Sequence, residues 1–114
     1  MNLFENLKAK YPNNFESCYD FSTGEGWDNI VEKLTDMVIA IEPKIKIVQV
    51  KEKFGGLRYY IEHDEESTEE QWKKVRYLIE CAEEAAERTC EVCGKDGKIV
   101  GKNWLSCRCE EHTV

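Results

Sequence analysis

A chain of 114 residues, 41% hydrophobic and 34% charged, is suited to one folded domain with a modest core rather than to disorder. No apolar run approaches about 20 residues, which excludes a membrane-spanning helix. The first residues, Met1-Asn2-Leu3-Phe4-Glu5, lack the basic and apolar stretches of a secretory leader, so the expected location is cytoplasmic. The net charge of −7 argues against non-specific binding to duplex nucleic acid, which depends on many phosphate contacts.

The charge is unevenly spread. Residues 1–43 hold eight acidic and three basic side chains, and residues 61–89 hold ten and four. Residues 44–60 reverse the balance, with five basic side chains and one acidic, and so permit a local anion site in an acidic protein.

In chain order, the spacing of Leu3, Phe4 and Leu7 predicts a short helix over 2–10, ended by Pro12 and Asn13-Asn14. Residues 15–26 have aromatics (Phe15, Tyr19, Phe21) without a clean period and read as an ordered loop with a turn at Gly24 and Gly26. From Trp27 the apolar residues Ile30, Val31, Leu34, Val38 and Ile41 recur at helical spacing until Glu42-Pro43 stops the helix.

Residues 45–53 and 57–63 alternate as two strands around Gly55-Gly56, a pair that supplies the positive φ angles of a two-residue hairpin loop. With the two glycines as the loop, Phe54 faces Leu57, Lys53 faces Arg58, Lys51 faces Tyr60 and Val50 faces Ile61. One face then collects Val48, Val50, Phe54, Leu57, Tyr59 and Ile61, with Glu52 as the misfit. The other collects Gln49, Lys51, Lys53, Arg58, Tyr60 and Glu62 and is basic and aromatic.

His63-Asp64-Glu65-Glu66 reads as a solvated acidic link rather than a carboxylate–histidine metal site. Ser67 and Glu70 have capping-box spacing and open a helix that runs to about Arg88. Its expected buried stripe is Trp72, Val75, Leu78, Ile79, Ala82, Ala85 and Ala86, and Cys81 is a packing residue or a spare thiol.

The most specific motif is C-terminal. Cys90-x2-Cys93-Gly94 and Cys109-x2-His112, 15 residues apart, have the spacing of a closed tetrahedral zinc site. Three thiolates and an imidazole suit zinc, and a closed set of four leaves no position for substrate, so the role is structural. Ile99-Val100 and Trp104-Leu105 are expected to form a small ribbon between the knuckles. Cys107 could replace Cys109 as ligand, but a C-x-C pair is tighter than the C-x2-H knuckle, which favours Cys109. The expected fold class is therefore α+β: a two-stranded or slightly larger antiparallel sheet on two main helices, residues 1–88, followed by a zinc ribbon, residues 89–114.

The combination of Gly26-Trp27, Lys51–Tyr60, Cys90-x2-Cys93-Gly94 and Trp104 followed by Cys109-x2-His112 resembles a family of small uncharacterised proteins encoded by bacteriophages and prophages. Their hairpin motif reads approximately K-E-K-F-G-x-L-R-[FY]-Y. The resemblance runs from Gly26 onward and implies a phage setting, hence a host bacterial cytoplasm. Threonine is usual in that family at the position of Cys107, which supports Cys107 as a non-ligand.

Three readings of the basic hairpin face follow. Arg58 could grip a phosphate in bidentate fashion with Lys51 and Lys53 adding charge and Tyr60 stacking on a base, which in a phage setting suits a counter-defence protein that sequesters a signalling nucleotide. Alternatively, the acidic helices could mimic nucleic acid and occupy a host defence protein. Or the cations simply pair with nearby acids. An enzyme is disfavoured: no serine or cysteine nucleophile has a paired histidine, there is no phosphate loop, and only His63 and His112 are available.

Overall fold

Helical period and strand alternation give three α-helices and two small sheets in the computed structural model, which describes residues 2–113. The helices are α1 (Leu3–Lys10), α2 (Asp28–Ile41) and α3 (Glu69–Ala86). The strands are β1 (Asp20–Ser22), β2 (Lys46–Lys53), β3 (Gly56–Glu62), β4 (Lys98–Val100) and β5 (Ser106–Arg108). The fold is α+β. No helix among the described residues is long and apolar enough to cross a membrane.

The larger sheet has the order β1-β2-β3, with β1 parallel to β2 and β3 antiparallel to it. Strand β1 was not legible in the sequence, because three residues are too few to reveal alternation. The loop before it is held against β2 instead: the Asn14 side chain donates to Pro43 O (2.9 Å) and Ile45 O (2.7 Å), and Ile47 N–H donates to Asn14 O (2.9 Å). Phe4 of α1 stacks on Phe21 at 5.0 Å and covers this segment.

The hairpin differs from the expected register in an instructive way. Its loop is Phe54-Gly55, both with positive φ (54° and 83°), and Gly56 already pairs with Lys53. Glu52 therefore faces Leu57, Lys51 faces Arg58 and Val50 faces Tyr59, each partner two residues from the expected one. A shift of two preserves the side-chain faces, so Val50, Leu57 and Tyr59 still meet the core. Phe54 does not: it sits in the turn, 65% exposed. A bulge between Ile47 and Gln49 puts Ile47, not Val48, opposite Ile61 and into the core.

Val31, Leu34 and Val38 of α2, with Val75, Ile79 and Ala86 of α3, cover the apolar sheet face. A buried hydrogen bond of 2.7 Å between the hydroxyls of Thr35 and Tyr59 satisfies both across this interface. The capping box of α3 uses Thr68 and Gln71 rather than Ser67 and Glu70: the Thr68 hydroxyl accepts from Gln71 N–H and the Gln71 carbonyl accepts from Thr68 N–H. The one-residue shift frees the Gln71 amide group to donate to Ile41 O (2.9 Å), an unsatisfied carbonyl at the end of α2.

Two expectations for the flank of α3 fail together. Trp72 is 39% exposed rather than core, and it stacks on His63 at 5.2 Å. His63 is not a solvated link residue, because its Nδ1 lies 2.7 Å from a carboxylate oxygen of the fully buried Glu42. The other oxygen of Glu42 accepts from Asp64 N–H. The helix stop at Glu42 thus doubles as the buried anchor for the end of β3.

Residues 89–113 are tied to this core. Trp27, fully buried, donates from its indole to Thr89 O (2.8 Å), Gly26 N–H donates to Glu91 O (2.7 Å), and Cys107 is in the main hydrophobic cluster. A Cβ on Gly26 would stand 2.1 Å from Cys90 O, whereas one on Gly56 would meet nothing closer than 3.6 Å. Gly26→Ala is accordingly expected to cost about 1–3 kcal/mol through backbone displacement. Gly56→Ala is expected to stay within about 0.5 kcal/mol. Denaturant titration of both variants checks the contrast.

Candidate metal centre and basic hairpin face

The first knuckle is built by backbone hydrogen bonds that the sequence Cys90-Glu91-Val92-Cys93-Gly94 makes possible. Gly94, at φ 83°, closes the turn by donating to Cys90 O (2.9 Å), and Cys90 N–H donates to Lys95 O (2.7 Å). Strands β4 and β5 pair antiparallel, Lys98 with Arg108 and Ile99 with Cys107. Trp104 lies in the loop between them rather than in the ribbon, because the second strand starts at Ser106. The second knuckle turns through Glu110–His112, and Thr113 Oγ1 donates to Cys109 O (2.7 Å).

These turns bring one atom from each of Cys90, Cys93, Cys109 and His112 within 4.8 Å of one another. Cys93 Sγ is 3.6 Å from Cys109 Sγ, and His112 Nδ1 is 3.7 Å from Cys90 Sγ and 3.1 Å from Cys109 Sγ. A zinc–sulfur bond of about 2.3 Å sets a tetrahedral sulfur–sulfur edge of about 3.8 Å, close to these separations. The donor set fits a metal ion and is compatible with zinc. Cys107 is excluded as a ligand: its thiol is fully buried and points away, donating to Thr89 O at 3.0 Å. Burial disfavours the Cys90 thiolate, but backbone N–H groups of Cys93, Cys109 and Val92 outweigh it and bring the thiol down to about 6. Burial pushes the Cys107 thiol up.

Ion pairs brace the centre from outside. Glu91 accepts from Gly24 N–H (2.8 Å) with one oxygen and faces Arg108 with the other, while Lys95 and Glu111 join the two knuckles at 3.2 Å.

On the hairpin, Lys51 and Arg58 stand directly opposite each other, and Tyr60 is 44% exposed opposite Gln49. Lys53 lies at the hairpin end, its Nζ 5.5 Å from the Phe54 ring centre. The four hairpin residues singled out from the sequence are thus three on one face and one at the tip. Among the described residues, none of Lys51, Lys53 and Arg58 has a carboxylate within 4.0 Å, and Arg58 Nε is buried without a hydrogen-bond partner. Beside Arg58, a cavity of about 310 Å³ between β3 and α3 is lined by Tyr60, Arg76, Glu80 and Glu83. Burial raises the pKa of Glu83, opposed by the hydrogen bond from Tyr59 N–H (3.2 Å) and by the charge of Arg58.

Sequence reasoning missed the Glu42–His63–Trp72 stack, since its members are far apart in the chain and carry no motif spacing. It also missed the exposure of Phe54 and Trp104, both of which look like core residues by type. Comparison with protein-family models, with curated proteins and with solved structures gave no significant match.

Elemental analysis of protein purified without chelator is expected to find about one metal ion per chain. Cys93→Ser and Cys109→Ser should lose it. Cys107→Ser should retain it, and loss of metal in that variant would overturn the ligand assignment.

Proposed function

We propose that this chain is a zinc-stabilised binding protein, not an enzyme, that takes a small phosphate-bearing anion such as a signalling nucleotide on the Lys51–Arg58–Tyr60 face. The observation that carries this reading is the cross-strand pair itself. Like charges directly opposed on a sheet repel, and a buried guanidinium N–H without an acceptor costs about 1–3 kcal/mol. An anion between Lys51 and Arg58 offsets the repulsion, and a turn of the Arg58 side chain that brings Nε–H to that anion offsets the second penalty as well. Glu83 of α3 feels the charge of Arg58, but no carboxylate comes within 4.0 Å of either cation among the described residues, so direct ion pairing does not account for the arrangement.

Zinc is the metal that three thiolates and one imidazole suit best, and the closed set of four makes its role structural. The resemblance to phage-encoded proteins makes counter-defence by ligand sequestration in a host cytoplasm the natural biological setting. The alternative, an acidic mimic of nucleic acid that occupies a host protein, has less support. On the outer face of α3, Glu69 and Glu70 are each offset by a lysine at 3.6 Å, which weakens a continuous run of negative charge.

The test is thermal melting with nucleoside phosphates and cyclic oligonucleotides. A ligand at about 100 times its Kd stabilises the folded state by about 2.7 kcal/mol. Arg58→Ala should abolish that shift without lowering the ligand-free Tm, and Arg58→Lys should recover little, because a point charge cannot reproduce the planar fork. A panel that leaves the wild-type Tm unmoved, or an Arg58→Ala protein that keeps the full shift, would sink the reading.

A further inference from the structure

A second feature lies at the other end of the hairpin. The cleft between the hairpin turn and the β4–β5 loop has a volume of about 510 Å³ and is lined by Glu52, Lys53, Phe54, Lys102, Trp104 and Leu105. That volume is within the usual range for ligand sites, about 300–1,000 Å³. Two aromatic side chains line it with most of their surface in solvent: Trp104 is 81% exposed and Phe54 65%.

The backbone pays to present one of them. Phe54 adopts φ 54°, in the left-handed region that a two-residue turn normally fills with asparagine or glycine. A bulky aromatic there is an outlier, and such outliers persist where the side chain is needed. Among the described residues the ring makes no aromatic pair, and the Lys53 ammonium stands over its face. Aromatic pairing and burial therefore do not explain it.

The charges in the cleft are also arranged for an anion. Neither Lys53 nor Lys102 has an ion-pair partner among the described residues. The one carboxylate, Glu52, is turned inward to accept from Gly55 N–H at 2.7 Å. The turn is fixed from below, since Gly55 lies against Ile99 and the Ser106 backbone.

From these observations we infer that the Phe54–Trp104 cleft binds a short segment of single-stranded nucleic acid, with bases stacked on the two rings and phosphates at Lys53 and Lys102. Aromatic faces accept any base, and free lysines follow the backbone, which is the chemistry of sequence-tolerant single-strand binding. The charge complementarity is local, so duplex DNA, which needs a broad basic surface, is not the occupant. The site is distinct from the Lys51–Arg58–Tyr60 face and stands without it.

The experiment is fluorescence anisotropy with a labelled oligothymidylate of about 10 nucleotides, a length within the span of single-strand sites. Trp104→Ala should weaken binding about tenfold or more, and Trp104→Phe should recover most of it, since loss of one stacked base is worth that much. Phe54→Asn should weaken binding similarly while leaving Tm unchanged or higher, because asparagine relieves the turn; a merely structural Phe54 would lower Tm instead. Two phosphate contacts predict a log K against log salt slope of about −1.4. Tyr77→Ala, which removes an equally exposed ring outside the cleft, should change nothing. The inference is overturned if wild-type protein does not bind the oligonucleotide, or if Trp104→Ala binds it as well as wild type. It is also overturned if a free mononucleotide binds this cleft as tightly as the strand.

Discussion

The rest of the structure depends on the seating of the first knuckle on the backbone of residues 24–27. Gly26 donates to Glu91 O, the Trp27 indole donates to Thr89 O, and the Cys107 thiol donates to that same carbonyl. Two ligand cysteines are thereby positioned by contacts made in the main core. Only a residue without a Cβ fits at position 26, where the two backbones meet. A metal held by this cluster would be coupled to core stability through this contact, because whatever organises the four side chains also holds Trp27, and its binding energy would become folding energy for more than the ribbon.

From the other side, the ribbon supports the hairpin. The left-handed Phe54-Gly55 turn rests on Ile99 and Ser106, and it sets a register in which Val50 and Tyr59 face α2 while Lys51 and Arg58 face away. The same turn keeps Phe54 out of the core, although its residue type would suit burial. A single two-residue loop therefore sorts the hairpin's aromatic and basic groups into buried, face and tip positions.

Charge is distributed to match. Buried or inward carboxylates are engaged by specific donors: Glu42 by His63 and Asp64 N–H, Glu52 by Gly55 N–H, Glu83 by Tyr59 N–H. Among the described residues, the hairpin cations Lys51, Lys53 and Arg58 have no carboxylate within 4.0 Å. In an acidic protein, this separation concentrates positive potential on one element rather than cancelling it pairwise.

Local pattern was enough to determine much of this protein. The periods of α2 and α3, the alternation of β2 and β3 and the C-x2-C…C-x2-H spacing each act over a few residues, so the helices, the hairpin faces apart from Val48 and Phe54, and the Cys/His cluster were legible from residue order alone. The faces survived a wrong register because alternation has period two, and a slip of two residues leaves each side chain on its side. What tertiary structure decided are the features that depend on contacts between distant segments. Strand β1 exists because Asn14 pins its loop to β2, not because three residues favour a strand. The bulge that exchanges Val48 for Ile47 depends on how β2 meets β3. Glu42 becomes a buried partner for His63 only when the end of α2 meets the end of β3. Trp72 leaves its helical stripe to stack on that histidine, and the Cys107 thiol is turned from the Cys/His cluster toward the carbonyl of Thr89. Sequence spacing records which side chains share an element; it holds no record of which backbone groups, left over at the ends of elements, will find one another across the fold.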